Sequence, residues 1–170
     1  DGKLKVMRSY QYNAVSQIFA KTKNKDWNDG DQRGGYIWHT TGSGKTLTSY
    51  KAAQLVAESG DADKVIFLVD RIELGTQSIT EYRGFSGEDA AIKSTANTNE
   101  LGRLLKSKNT NDKLIVTSIQ KMSRIKKKVD EDGIGFSQKD LDTMSAKRIV
   151  FIVDEAHRDT FGDMMKTIKE

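Results

Sequence analysis

His39-Thr40-Thr41-Gly42-Ser43-Gly44-Lys45-Thr46 is the stretch that decides the fold. It follows a short apolar run, Tyr36-Ile37-Trp38, which reads as a strand, and it precedes 45–58, whose pattern is that of a helix. Gly42 and Gly44 let the backbone turn so that successive N–H groups face one anion, and the helix N-terminus adds its positive end. A glycine-rich loop between a strand and a helix, closed by Lys and a hydroxyl residue, is a phosphate cradle. Lys45 is then placed to reach the β- and γ-phosphates of ATP, and the Thr46 hydroxyl to hold Mg²⁺. Thr41, Gly42, Ser43 and Gly44 supply the rest of the candidate cofactor-binding set. His39 stands where the general pattern has its first Gly. With no evident partner in the sequence, it reads as a wall of the loop rather than a base.

Outward from this loop, apolar runs alternate with helical patterns. Val65-Ile66-Phe67-Leu68-Val69, Leu114-Ile115-Val116 and Ile149-Val150-Phe151-Ile152-Val153 are β-branched and apolar without alternation, as in strands covered on both faces. Ala91-Ile92 is a further short strand candidate. Helical patterns are predicted over 10–19, 72–82, 99–106, 118–128, 138–144 and 161–169. Strands separated by helices imply βαβ units and therefore an α/β domain of three layers around a mostly parallel sheet. No linker divides the chain, so 1–170 is expected to form one unit.

The last of the apolar runs ends in Asp154-Glu155-Ala156-His157. A carboxylate at the C-terminal end of a parallel strand sits on the rim where ligands bind. Asp154 is placed to hold Mg²⁺, directly or through water. Glu155 is placed to orient and deprotonate an attacking water, which makes Lys45 and Glu155 the candidate catalytic pair. An acidic helix N-terminus would look the same in isolation. The Lys45 loop upstream, with room for several βα units between, favours the nucleotide reading.

Composition sets wider bounds. The chain has 170 residues, 36% hydrophobic and 31% charged, a net charge of +4 and no Cys. That excludes a disulfide framework, a cysteine-ligated zinc and a thiol nucleophile. No segment reaches the roughly 18 consecutive apolar residues of a membrane span. The soluble interior of a cell is the expected location. The positive charge leans toward nucleic acid without specifying it. Gln11 carries an amide able to read the donor–acceptor edge of adenine, though a solvated side chain is the ordinary reading of a single Gln. Lys121, Arg124 and Lys128 share one helical face, and Met122, Ile125 and Val129 the other. The first reading of that segment is an amphipathic helix with a wet basic face, and the alternative is a phosphate-tracking surface.

Taken in order, Tyr10-Gln11, the loop at 39–46, Val69-Asp70-Arg71, Val116-Thr117-Ser118-Ile119-Gln120 and Asp154-Glu155-Ala156-His157-Arg158 resemble helicase superfamily two. More narrowly, they resemble the motor region of the restriction (R) subunit of type I restriction–modification enzymes. Ile37-Trp38-His39-Thr40-Thr41-Gly42-Ser43-Gly44-Lys45-Thr46-Leu47-Thr48 is the most specific stretch, and His39 in place of Gly is usual in that family. The likeness runs from about Arg8 to Gly162.

The resemblance implies a RecA-like P-loop NTPase lobe with ATP and Mg²⁺ as cofactors. It implies that Gln11 recognises adenine, that Arg71, Thr117, Ser118 and Gln120 face the DNA backbone, and that His157 couples nucleotide state to DNA grip. The implied partners are double-stranded DNA and the methylation and specificity subunits, in a prokaryotic cytoplasm. Cleavage is expected in a separate nuclease domain. A second lobe would supply an arginine finger worth about 10³–10⁵ in rate, so this lobe alone should bind nucleotide weakly and hydrolyse it barely. Another motor of the superfamily, acting on DNA or RNA, stays open as an alternative. A transporter ATPase would carry a Ser-Gly-Gly-Gln-type signature, which is absent, and a small GTPase-like switch would have its acidic motif closer to the loop.

Overall fold

The structure, a computed structural model, describes residues 6–23, 25–28, 34–40, 42–69, 80, 84, 92–126 and 136–153. Four strands form its sheet: β1 (Lys64–Val69), β2 (Ile92–Ser94), β3 (Leu114–Ser118) and β4 (Ile149–Val153). Their order is β2-β3-β1-β4. Every pairing is parallel: Val65 faces Leu114 on one side and Val150 on the other, and Ile92 faces Leu114 across the third ladder. All six residues of β1 are buried, as the unbroken apolar run requires of a strand covered on both faces.

Five described helices make the outer layers: α1 (Ser9–Lys23), α2 (Lys45–Ser59), α3 (Thr98–Lys106), α4 (Ile119–Ser123) and α5 (Gln138–Ser145). Alternation along β1 sorts them. Val65, Phe67 and Val69 join Tyr50, Ala53 and Val56 of α2, with Ile18 and Phe19 of α1 against them. Ile66 and Leu68 join Leu101, Leu104 and Leu105 of α3, with Ile119, Phe136 and Met144. The sheet is therefore sandwiched, and the expected three-layer α/β architecture is the one observed. Within the second layer the Phe136 ring lies so close to Gly102 of α3 that an added Cβ would collide with it.

Two expectations are corrected. The run Tyr36-Ile37-Trp38 forms no strand, and the three side chains are 91%, 42% and 87% exposed. Strand propensity acts only where a neighbour offers a ladder, and among the described residues no ladder joins this run to the sheet. β4, which among the described residues pairs with β1, is half-buried along its whole length. The helix predicted over 118–128 ends as α4 at Ser123 and tightens into a 3₁₀ turn over Arg124–Lys126. Its basic face is not wet throughout. Lys121 is buried, and its ammonium donates to the Thr95 carbonyl. The other shared-face residue within the described part, Arg124, is exposed. The predicted helices over 72–82 and 161–169 lie outside the described residues, apart from Thr80, which is helical.

Charges gather where the strands begin. Lys64 is 1% exposed and its Nζ donates to the Asp112 carbonyl at 2.8 Å. Loss of hydration pushes its ammonium down to about 8 from 10.5, and the Lys147 charge pushes the same way. Lys147 donates to the carbonyls of Lys106 and Ser107 at the end of α3, and burial lowers it too. Lys113 donates to the Ala57 carbonyl near the end of α2. Arg148 takes both oxygens of Asp63, at 2.9 and 3.2 Å, and the Gly60 carbonyl. Its guanidinium holds the Asp63 carboxyl below the usual range. Cations thus sit on the carbonyl ends of two helices, where their field is favourable.

Candidate nucleotide-binding site

Because those contacts fix the C-terminus of α2 at the beginning of the strands, its N-terminus lies toward the strands' C-terminal ends. That edge is the ligand rim of a parallel sheet. α2 starts at Lys45, immediately after the loop. Gly42 and Gly44 both hold positive φ, 76° and 80°, where a side chain would be strained. Gly44 is the N-cap and so brings no side-chain acceptor, and the first turn carries no carboxylate. The helix therefore begins with N–H donors that no side-chain cap meets, which is the donor set an anion needs.

The loop is held from behind by α1. The Gln11 amide donates to the carbonyls of Ser43 and Gly44, each at 3.2 Å, and accepts from the Arg8 amide at 2.8 Å. A Cβ on Gly44 would collide with that amide nitrogen. Tyr10 donates its hydroxyl proton to the Ser43 carbonyl at 2.8 Å. Ser43 Oγ donates to the Thr40 carbonyl at 2.7 Å and lies 3.0 Å from His39 Nδ1. Thr48 closes the first turn of α2 by donating both N–H and Oγ–H to the Gly44 carbonyl.

Of the predicted site residues, Gln11, Gly42, Ser43, Gly44, Lys45 and Thr46 come together here. In this structure both ends of the Gln11 amide are turned to the protein's own backbone. Thr41, Arg71, Asp154, Glu155 and His157 lie outside the described residues. β4 ends at Val153, one residue before Asp154. Thr117 and Ser118 close β3 at the same rim, but their side chains are committed inward. Thr117 Oγ1 accepts from Thr95 Oγ1 at 2.8 Å, and Ser118 caps α4 by accepting from the Lys121 amide. Gln120, beside them, is exposed.

Sequence reasoning missed two groups. His39 has a partner in Ser43, four residues on, a helix-like spacing inside a loop. Lys121 is an internal strut between α4 and the end of β2. No sequence signal marks it, because its acceptor is a backbone carbonyl.

A three-layer parallel α/β domain with a glycine loop opening onto an uncapped helix defines the class of P-loop nucleotide-binding proteins. Comparison with known proteins narrows this. The SWI2/SNF2 ATPase family profile matches residues 10–170. The SsaAORF53P type I restriction enzyme endonuclease subunit of Staphylococcus saprophyticus is 42% identical over 170 residues, all of this chain and 16% of that protein. The C-terminal part of the MpnIIP type I restriction enzyme endonuclease subunit of Mycoplasma pneumoniae is 42% identical over 169 residues, 97% of this chain and 78% of that one. A solved structure of a nuclease-deletion mutant of the type ISP restriction–modification enzyme LlaGI, in complex with a DNA substrate mimic, matches 94% of this chain and 16% of its own. Its TM-score is 0.60 at 22% identity, which speaks to the fold. The chain belongs to the SWI2/SNF2 ATPase family, and within it to the ATPase region of type I restriction enzyme endonuclease subunits.

Proposed function

We propose that this chain is the ATP-binding lobe of a DNA translocase, in which ATP hydrolysis moves double-stranded DNA past the enzyme before a separate nuclease domain cuts it. The observation that carries the nucleotide part is the start of α2. Two left-handed glycines there lead into a helix whose first donors have no side-chain cap, at the C-terminal rim of a parallel sheet. The DNA part is supported by the family and by the relatives' description as restriction enzyme subunits.

In this reading Gly42, Ser43, Gly44 and Thr41 offer backbone donors to the phosphates, and Lys45 adds its charge. Thr46 and Asp154 are the residues to hold Mg²⁺, and Glu155 is the residue to orient the attacking water. ATP with Mg²⁺ supplies the phosphoryl group whose transfer releases the free energy for movement. Gln11 reaches adenine by exchanging its bonds to the Ser43 and Gly44 carbonyls for the base. Gln120, exposed beside two inward-turned hydroxyls, is the first candidate for a DNA backbone contact, with Thr117 and Ser118 acting through the backbone they fix. Arg71 and His157 complete the proposed grip. The chain spans 16% of the staphylococcal relative. A second lobe supplying an arginine, a nuclease domain, and the methylation and specificity subunits belong to the proposed whole. Alone, this lobe turns over ATP barely.

The test is ATP hydrolysis by the intact protein with and without double-stranded DNA, beside Lys45→Ala and Glu155→Gln. The expected result is turnover stimulated by duplex DNA and abolished in both variants. Stimulation by RNA in place of DNA would move the chain to a different motor. Full turnover in Glu155→Gln would remove that residue from catalysis.

A further inference from the structure

Ser43 is gripped at its carbonyl, by Tyr10 and Gln11, and at its hydroxyl, by His39. Tyr10 Oη donates to its carbonyl at 2.8 Å. His39 Nδ1 lies 3.0 Å from its hydroxyl oxygen, and that hydroxyl's single proton goes to the Thr40 carbonyl at 2.7 Å. A serine hydroxyl has one proton to give. With it committed to Thr40, the His39 contact is a hydrogen bond only if Nδ1 carries a proton and donates. The two gripping rings also brace each other, with centroids 6.1 Å apart and planes tilted by 57°. Ser43 N–H in turn donates to the Thr40 carbonyl at 3.2 Å, so the turn is closed on itself.

The carbonyl grip has a consequence on the opposite face. The Ser43–Gly44 peptide is planar and trans, so its N–H points away from its C=O. A phenol and an amide drawing the Ser43 carbonyl toward α1 thereby aim the Gly44 N–H out of the other side of the loop. α2, which carries no side-chain cap, begins at the next residue. Glycine loses the most freedom when fixed, and a loop fixed in advance spares the ligand that cost.

We propose that Tyr10 and His39 are positioning residues of the phosphate loop, holding Ser43 by its carbonyl and its hydroxyl so that the loop keeps its anion-accepting shape before nucleotide arrives. The inference rests on the nucleotide reading of the loop. Tyr10 and His39 act on the loop alone, whereas Gln11, which also holds the Ser43 and Gly44 carbonyls, has the base as its proposed target.

The experiment measures binding of Mg-ATP and of inorganic tripolyphosphate to the intact protein, in the wild type and in Tyr10→Phe, His39→Ala, His39→Asn and His39→Gln. Backbone amide hydrogen exchange over 42–45 is followed without ligand in each. Loss of one such hydrogen bond weakens binding by about 3- to 10-fold. Tyr10→Phe and His39→Ala are expected to lose that factor for both ligands alike and to exchange faster at 42–45, with melting close to wild type. His39→Asn, whose amide N–H stands near the place of Nδ1–H, recovers most of the loss, and His39→Gln does not.

Loss confined to ATP, with tripolyphosphate unaffected, would overturn the proposal by placing these residues at the base. So would unchanged exchange and binding in both Tyr10→Phe and His39→Ala. Equal loss in His39→Asn and His39→Ala would remove the donor from the account of His39. If the wild type binds neither ligand, the nucleotide reading fails. The exchange rates still decide whether the two side chains hold the loop.

Discussion

The two edges of the sheet handle polar groups in opposite ways. Where the strands begin, Lys64, Lys113, Lys147 and Arg148 each meet a backbone carbonyl, and Asp63 is bound through both oxygens. Where the strands end, α2 opens on glycine with no side-chain cap, and Tyr10 and Gln11 bind there to carbonyls. The same chemistry, hydrogen bonding to helix ends, is closed at one pole and left open at the other. The difference teaches that an incomplete helix terminus is informative when the same helix is completed at its far end. α2 is such a helix: near its C-terminus the Ala57 and Gly60 carbonyls accept from Lys113 and Arg148, whereas its N-terminus has no side-chain cap.

This contrast can be broken by substitution. Lys45→Ala should give the largest effect: Mg-ATP affinity falls about 10- to 100-fold, the worth of a hydrogen bond to a charged group, while the melting temperature holds. A drop of several degrees in melting would mean that the open edge is itself structural. Gly44→Ala comes next, costing about 1–2 kcal/mol because a side chain is forced into left-handed backbone and against Gln11. Denaturant unfolding measures it. Adding Gln11→Ala should relieve the collision and leave the backbone strain.

At the closed edge, Lys64→Met tests burial of an ammonium. The folded value is lowered to about 8 from 10.5, so the unfolded chain holds the extra proton between those limits and wild-type stability rises with pH across them. The rise should be on the order of 1 kcal/mol between pH 8 and 9.5. In Lys64→Met it shrinks to the part that Lys147 contributes. An equal slope in the variant would show that Lys64 is not the titrating group. Asp63→Asn is the smallest effect. The pair with Arg148 is 41% exposed on both sides, so its loss should cost under about 1 kcal/mol at pH 7. The Asp63 carboxyl is depressed, so its contribution is present above its ordinary value of 3.8 and is lost as pH falls through the folded value. Wild type and variant should therefore converge in acid, as denaturation at pH 7 and near pH 3 would show.

The parts legible in the sequence were those whose signal is local. Val65-Ile66-Phe67-Leu68-Val69 reads as a doubly covered strand because the cover is written in its own residues, and it is buried as read. Gly42 and Gly44 read as a turn because glycine alone is comfortable at their φ. What escaped depends on partners far along the chain. Lys64 stands in front of the apolar run as a charge, yet its acceptor is the carbonyl of Asp112. Lys121 falls on a basic helical face by spacing, yet it points to the carbonyl of Thr95. Tyr36-Ile37-Trp38 shows the reverse failure. Its composition is that of a strand, and no neighbour among the described residues takes it up. In the loop, residue types pointed to a phosphate cradle, the reading proposed above, but the grip on Ser43 needed coordinates. It joins a helix and a loop more than thirty residues apart.

The strand order carries a consequence for how the chain is made. β1 leaves the ribosome first among the described strands, yet both its neighbours come later: Val65 pairs with Leu114 and then with Val150. At about 5–20 residues per second, the wait for the second partner is roughly 4–17 s. Until Leu114 emerges a six-residue segment containing Val65-Ile66-Phe67-Leu68-Val69 has both edges unpaired, and one edge stays open until β4 is made, a template for unwanted strand addition. α2, already synthesised, can cover one face of it, since Tyr50, Ala53 and Val56 pack there in the finished protein. The helix that presents the phosphate loop thereby also serves as the nascent chain's own escort.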